Sequence, residues 1–194
     1  KFGLVVIGAH SGIWLTSLLE KYKEQNILLV EPVPYNIQLL RQNTSKYKNI
    51  NIETSAVSNK VGVQKFYYVK PESVKNLGKH WASGIGSFDK QHILNHKNKR
   101  FKVENSDIEE IEIQYLTFEN LVSKYSIISI DMLQIDVEGA EFEILDSMLT
   151  KKPNSNESVT ALEWINLIST KVSAIPNKFK IFTNQPPENN NILK

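Results

Sequence analysis

Three groups of residues are spaced to do chemistry together. Gly8 and Gly12 bracket a GAHSG turn directly after the apolar run LVVI, Glu31 closes the next apolar run, and Asp136 and Glu138 follow a third within QIDVEGAE. Each run stops abruptly at a glycine or an acid and then enters a helical pattern, as a parallel strand does when it hands over to a helix. In open α/β sheets ligands bind outside the carboxyl ends of the strands, so these residues belong to one sheet edge. Glu31 lies about 20 residues past the first turn, where a carboxylate accepts hydrogen bonds from the hydroxyls of a ribose. The turn lacks the full GxGxxG fingerprint and does not by itself name a nucleotide.

Charge narrows the ligand. An edge that gathers Glu31, Asp136 and Glu138 repels the pyrophosphate of a dinucleotide. S-adenosylmethionine instead brings a cationic sulfonium and an ammonium, and opposite charges within about 4–6 Å favour one another. The acidic edge therefore favours S-adenosylmethionine as cofactor. The competing role for Asp136 and Glu138 is helix capping, since acids ahead of Ala140 stabilise a helix N-terminus. Methyl transfer from a sulfonium is an in-line displacement, and alignment alone contributes about 7–11 kcal/mol. A hydroxyl acceptor also loses a proton, so a base is required, worth about 10²–10⁴-fold. Asp136, Glu138, His10 and the histidines His80, His92 and His96 are the candidates. His92 and His96 are four apart, on one face if QHILNH is helical. With no third ligand fixed, they make a weak metal signal, and no metal is expected.

The elements that must position these groups follow from periodicity. Leu4–Ile7 reads as a strand and Ile13–Tyr22 as a helix burying Ile13, Leu15, Leu18, Leu19 and Tyr22. Ile27–Val30 is the next strand, and Tyr35–Tyr47 a helix with Pro34 in its first turn. Ile50–Val57 is expected as a third strand or strand end, and Val61–Val69 as an antiparallel addition. Glu112–Leu116 reads as a strand, with Thr117 capping a helix through Lys124. Met132–Ile135 is a strand, Ala140–Met148 a helix, and Val159–Ile165 and Lys178–Thr183 further strands. Glu163, inside the run TALEWI, is a further candidate to face the cleft. This alternation predicts an α/β fold with a doubly wound, mainly parallel sheet.

Between these elements, Lys70–Arg100 carries seven basic residues against two acidic ones, a net of +5, and reads as a basic insert. Phe101–Asn120 follows with one basic residue against six acidic ones, a net of −5. Within the insert, WASGIGSF (Trp81–Phe88) has the composition of a lid or pocket wall, with Trp81 and Phe88 placed to stack on a sugar ring or exclude water. Gln185–Lys194 is a Pro- and Asn-rich polar tail.

Length and composition bound the rest. With 194 residues, 41% of them hydrophobic, the chain buries a core of its own, and a single domain spanning 1–194 is expected. The formal charge of +2 gives little long-range attraction to nucleic acid or anionic lipid, so neither is expected as a partner. The chain contains no cysteine, which excludes disulfides and thiolate metal sites. No apolar run approaches the roughly 20 residues of a membrane span, and no signal-peptide pattern is present, so a soluble, cytoplasmic protein is expected. Only Lys1–Gly3 precede the first strand, so further chain upstream is expected.

Together GAHSG, EPVPYNIQLLRQN, SAVSNKVG, SGIGSFDKQHILNH and QIDVEGAEFEILDS resemble, in order and spacing, the FkbM-type methyltransferases, over roughly Val5–Ser147. QIDVEGAE and EPVPYN are the specific pieces. The resemblance implies a Rossmann-like class I methyltransferase that moves a methyl group from S-adenosylmethionine to a hydroxyl, on a sugar or another small metabolite. By that likeness Gly8, Ala9, His10 and Gly12 line the methionine part of the cofactor, Glu31 with Pro32 the ribose region, Ala56 and Val57 the adenine, and Asp136 the region beside the methyl group. Asp136 and Glu138, from among the candidate bases, are the expected catalytic residues. Two positions depart from the family pattern: Val6 stands where an acid is usual, and Gln134 where a lysine is frequent. The alternatives on the same fold are a nicotinamide-dependent oxidoreductase and a cofactor-binding domain without turnover.

Overall fold

The computed structural model describes residues 1–78, 80–98, 101–137, 139–149 and 168–170. The first half alternates strand and helix: β1 (Phe2–Ile7), α1 (Thr16–Tyr22), β2 (Asn26–Val30), α2 (Pro34–Thr44) and β3 (Ile50–Glu53). Next come β4 (Ala56–Val57), β5 (Gly62–Val69), α3 (Pro71–Leu77), β6 (Gly86–Ser87), α4 (Lys90–Leu94), β7 (Lys97–Asn98) and β8 (Phe101–Lys102). The chain returns through β9 (Ile108–Leu116), α5 (Phe118–Lys124), β10 (Ile130–Ile135), α6 (Glu141–Leu149) and β11 (Ile168–Thr170).

A parallel sheet of order β11-β10-β1-β2-β3 forms the centre. Every residue of β1 is buried, because helices cover both faces of a parallel sheet. Strand alternation divides the core. Val5, Ile7, Leu28, Val30, Leu133 and Ile135 pack with Phe118, Leu121 and Val122 of α5 and Ile144, Leu145 and Met148 of α6. Leu4, Val6, Ile27 and Leu29 point the other way, onto Leu15, Leu19 and Tyr22 and onto Leu40 of α2. The α/β fold with a parallel sheet read from periodicity is thus present. Thr117 caps α5 by accepting the Asn120 N–H at 3.2 Å, as its position before the helix predicts.

Two expectations need correction. Ile13 is 67% exposed, not part of the buried stripe. Ile13–Leu15 is a 3₁₀ turn, and three residues per turn in place of 3.6 rotate Ile13 away from the face that Leu15, Leu19 and Tyr22 share. The segment 50–57 is not one strand. Glu53 folds its carboxylate back to accept the Ser55 N–H at 3.0 Å, and the chain leaves the central sheet there. β4 then pairs in parallel with β9 of a separate sheet of order β4-β9-β5-β6. β5 is antiparallel, as expected, but its partners are β9 and β6.

In the segment 70–100, expected as a basic insert, Ala82, Ile85 and Ile93 pack with Val69, Val103 and Ile108 in a small separate core. The basic count of that segment rests partly on Lys79, Lys99 and Arg100, which lie outside the described residues. So do the strands expected at 159–165 and 178–183, Glu163, and the tail at 185–194. β11, unanticipated, occupies the sheet edge beside β10. Among the described residues no helix is long and apolar enough to cross a membrane.

Candidate functional site

The ends of β1, β2 and β10 are locked to one another by backbone hydrogen bonds. Gly8 N and Ala9 N both donate to the Val30 carbonyl, at 3.0 and 2.9 Å, and Asp136 N donates to the Ile7 carbonyl at 2.9 Å. Gly8 adopts φ +89°, and a Cβ there would overlap the Asp136 carbonyl oxygen. Glycine at this position is what lets the two strand ends approach so closely.

Glu31 is the hub of the turn. Its buried carboxylate accepts the His10 N–H at 2.9 Å on Oε2, and the Val33 N–H at 3.0 Å and Asn36 Nδ2 at 3.3 Å on Oε1. Burial pushes its pKa up to about 6, and these three hydrogen bonds only partly offset that rise. Asn36 Nδ2 also donates to the Ser83 carbonyl at 3.0 Å, which fixes the amide with its Oδ1 as the remaining acceptor. Oδ1 is buried and has no hydrogen-bond partner.

Across the cleft, the acid that caps the turn after β10 is Glu141. It accepts the Val137 N–H at 3.0 Å and the Gly139 N–H at 2.9 Å. Asp136, one of the two acids weighed for capping, lines the cleft. Glu138 lies outside the described residues.

Residues between Gly84 and His92 contribute a further wall. Tyr35 Oη lies 3.2 Å from the carbonyls of both Val69 and Ser83, which share its single proton, and His10 Nε2 is 2.6 Å from Ser83 Oγ. Phe88 stacks edge-on against Phe66 and Tyr115, with ring centroids 5.2 and 5.6 Å away. Gly84, Gly86, Ser87 and Phe88 of WASGIGSF line the cavity. The side chains of His80 and Trp81 lie outside the described set.

These walls enclose a cavity of about 740 Å³. Of the residues expected to contact a cofactor, Gly8, His10, Glu31, Pro32, Ala56, Val57 and Asp136 line it. Ala9 and Gly12 do not. Ala9 is buried in the apolar layer beneath the turn, and Gly12 packs against Leu40. Sequence reasoning did not single out Asn36, Phe66, Asp89 or Glu143, which also line the cavity. Asn36 had a signal, since EPVPYN places it one helical turn and a residue past Glu31. The others arrive from distant elements. Four described carboxylates, Glu31, Asp89, Asp136 and Glu143, face this space, and no described lysine or arginine does.

The family model of the methyltransferase FkbM domain matches residues 7–179. The chain belongs to the FkbM methyltransferase family. The resemblance carried by GAHSG, EPVPYN and QIDVEGAE is borne out. The crystal structure of methyltransferase FkbM from Methylobacillus flagellatus KT is similar over 76% of this chain, at 14% identity and a TM-score of 0.42. The chain spans 28% of the length of that protein. No curated protein matches the chain.

The two departures from the family pattern are neighbours in space. Val6 and Gln134 sit side by side in the β1–β10 register, at 0% and 8% exposure. An acid and a lysine at these positions would face each other across the two strands. Exchanging one alone would bury an unpaired charge, at a cost of about 3–5 kcal/mol, whereas exchanging both leaves none. Val6 packs with the apolar layer beneath the turn and is not among the residues lining the cavity.

Proposed function

We propose that the chain binds S-adenosylmethionine in this cleft and transfers its methyl group to a hydroxyl of a small acceptor, a sugar or another polyhydroxylated metabolite. The observation that carries the reading is the charge of the cleft: four carboxylates and no described lysine or arginine around about 740 Å³ at the carboxyl ends of β1, β2 and β10. That volume suits a nucleoside-sized ligand, and that sign suits a sulfonium and disfavours a pyrophosphate.

The donor set fits the cofactor. A carboxylate offers about four acceptor sites, and Glu31 has three filled, with Oε2 holding a single bond. Glu31 Oε2 and the partnerless Asn36 Oδ1 supply two acceptors for the two hydroxyls of a ribose. Pro32, Ala56, Val57 and Phe66 provide an apolar wall for the adenine. Gly8 and His10 border the methionine part, with Ala9 and Gly12 shaping the turn from beneath. Asp136 stands beside the transferring group. When bound, S-adenosylmethionine supplies an electrophilic methyl carbon. The chain's own residues hold the acceptor in line with it and exclude water.

Calorimetric titration with S-adenosylhomocysteine and, separately, with NADH tests the reading. Saturable binding of the first and none of the second is expected. Tight NADH binding without S-adenosylhomocysteine binding overturns it in favour of an oxidoreductase.

A further inference from the structure

His92, on α4 of the insert, lines the same cavity as Glu31 and Asp136. A Cβ placed at Gly139 would lie 3.1 Å from its Cε1, so the imidazole rests against the turn that carries Asp136. Its Nε2 is buried and has no hydrogen-bond partner. Leaving such an atom unsatisfied is unfavourable, and a ligand entering the cavity is the natural source of the missing bond.

We propose that His92 is the general base of the methyl transfer, its Nε2 receiving the proton of the acceptor hydroxyl. This rests on the reading of the cleft as a hydroxyl methyltransferase site. As the acceptor oxygen bonds to the methyl carbon, the carbon–sulfur bond breaks and its electron pair leaves with sulfur. The hydroxyl proton ends on Nε2, and the resulting imidazolium returns it to water after product release.

The surroundings suit the role. Burial lowers the pKa of His92, and the neighbouring His96 lowers it further, while Asp89 and Glu141 pull the other way. Asp136 and Glu143, which line the same cavity, are the other acidic groups on that side. The His96 ring lies edge-on at 5.0 Å, and its Nδ1 is 3.0 Å from the His92 carbonyl. The net lowering keeps the imidazole neutral near pH 7, so with the proton on Nδ1 a lone pair remains on Nε2. The other candidates are less suited. A carboxylate of ordinary pKa about 3.9 is a weaker base toward an alcohol than an imidazole of about 6.5. His10 Nε2 is already engaged with Ser83.

Two measurements test the assignment. Nitrogen-15 spectra of histidine-labelled protein, free and with S-adenosylhomocysteine, read the tautomer of His92 directly. The Nδ1–H form with a titration midpoint below about 6.5 is expected, and an Nε2–H form near pH 7 overturns the proposal whatever the acceptor. Alongside, wild-type protein and His92→Gln are assayed for transfer of labelled methyl from S-adenosylmethionine to a panel of monosaccharides and methyl glycosides. The variant is expected to lose about 10²–10⁴-fold in kcat/KM while its S-adenosylhomocysteine affinity stays within about twofold. The wild-type pH–rate profile, which needs no variant to fold, is expected to fall on the acid side through the His92 midpoint. Transfer by His92→Gln within about threefold of wild type overturns the base and leaves the cleft reading intact. A wild-type protein that binds S-adenosylhomocysteine and methylates no hydroxyl overturns the cleft reading, and the base with it.

Discussion

Replacing Glu31 with Gln separates what this residue does for the fold from what it does for the ligand. In the folded protein its pKa stands at about 6 against an ordinary 4.5. Keeping it ionised near pH 7 therefore costs about 2 kcal/mol relative to the unfolded chain, at 1.36 kcal/mol per unit. Gln removes that cost. Its single oxygen, set toward Val33 and Asn36, retains two of the three hydrogen bonds, while its NH₂ group faces the His10 N–H. That lost bond costs about 1–3 kcal/mol. The two effects nearly cancel, so stability near pH 7 is expected within about 1 kcal/mol of wild type. The sign of the pH dependence is a second check. Because the folded pKa is raised, the contribution of Glu31 is complete below 4.5 and is lost as pH rises through about 6. Gln suffers no such loss. Its stability relative to wild type should improve by about 2 kcal/mol between pH 4 and pH 7, read from urea melts. Binding responds differently. Where Oε2 offered a charged acceptor to the ribose, the variant offers a donor, a change of about 1.5–3 kcal/mol or roughly 10- to 100-fold in S-adenosylhomocysteine affinity. Calorimetric affinity within about twofold of wild type refutes the ribose assignment. An unchanged pH dependence of stability refutes the account of the buried carboxylate.

Other substitutions probe the frame around the site. Gly8→Ala forces a side chain onto the Asp136 carbonyl at positive φ, and is expected to cost about 3 kcal/mol or more in thermal or urea unfolding and to weaken S-adenosylhomocysteine binding. Val6→Asp should destabilise by about 3–5 kcal/mol by burying an unpaired charge, and adding Gln134→Lys should recover at least about 1 kcal/mol in a double-mutant cycle; zero coupling would show that the register partners do not interact. Lys124→Met removes the 2.7 Å ion pair with Glu53. Burial pushes Glu53 up, but Lys124 and Ser55 outweigh it and hold the pKa below the ordinary value. The substitution should cost about 1–3 kcal/mol near pH 7. A lowered carboxylate stabilises above its unfolded pKa and loses that contribution as pH falls, so the deficit should shrink in acid, and urea melts at both ends of that range check it.

Much of the frame was legible because it depends on short-range chemistry. An apolar run ending at a glycine or acid marks a strand end wherever it lies, and Thr117 caps α5 with a donor three residues away. Glu31 reached the cleft as read because its partners Val33 and Asn36 are encoded in the same EPVPYN segment. Where the geometry of one turn decided the outcome, periodicity failed. Ile13 faces out because a 3₁₀ turn precedes α1, and Ala9 and Gly12 support the turn without reaching the cavity.

Local pattern and charge thus carried the fold class and the shared edge of Gly8, Glu31 and Asp136, and the resemblance of the motifs carried the family. Folding in three dimensions chose the partners. It set Val6 beside Gln134, turned Glu141 back onto the Val137 and Gly139 N–H groups, and brought His92 of α4 against Gly139. The reason is physical: a strand or cap is fixed by residues a few positions apart, whereas a buried polar atom is defined by whatever distant segment closes over it.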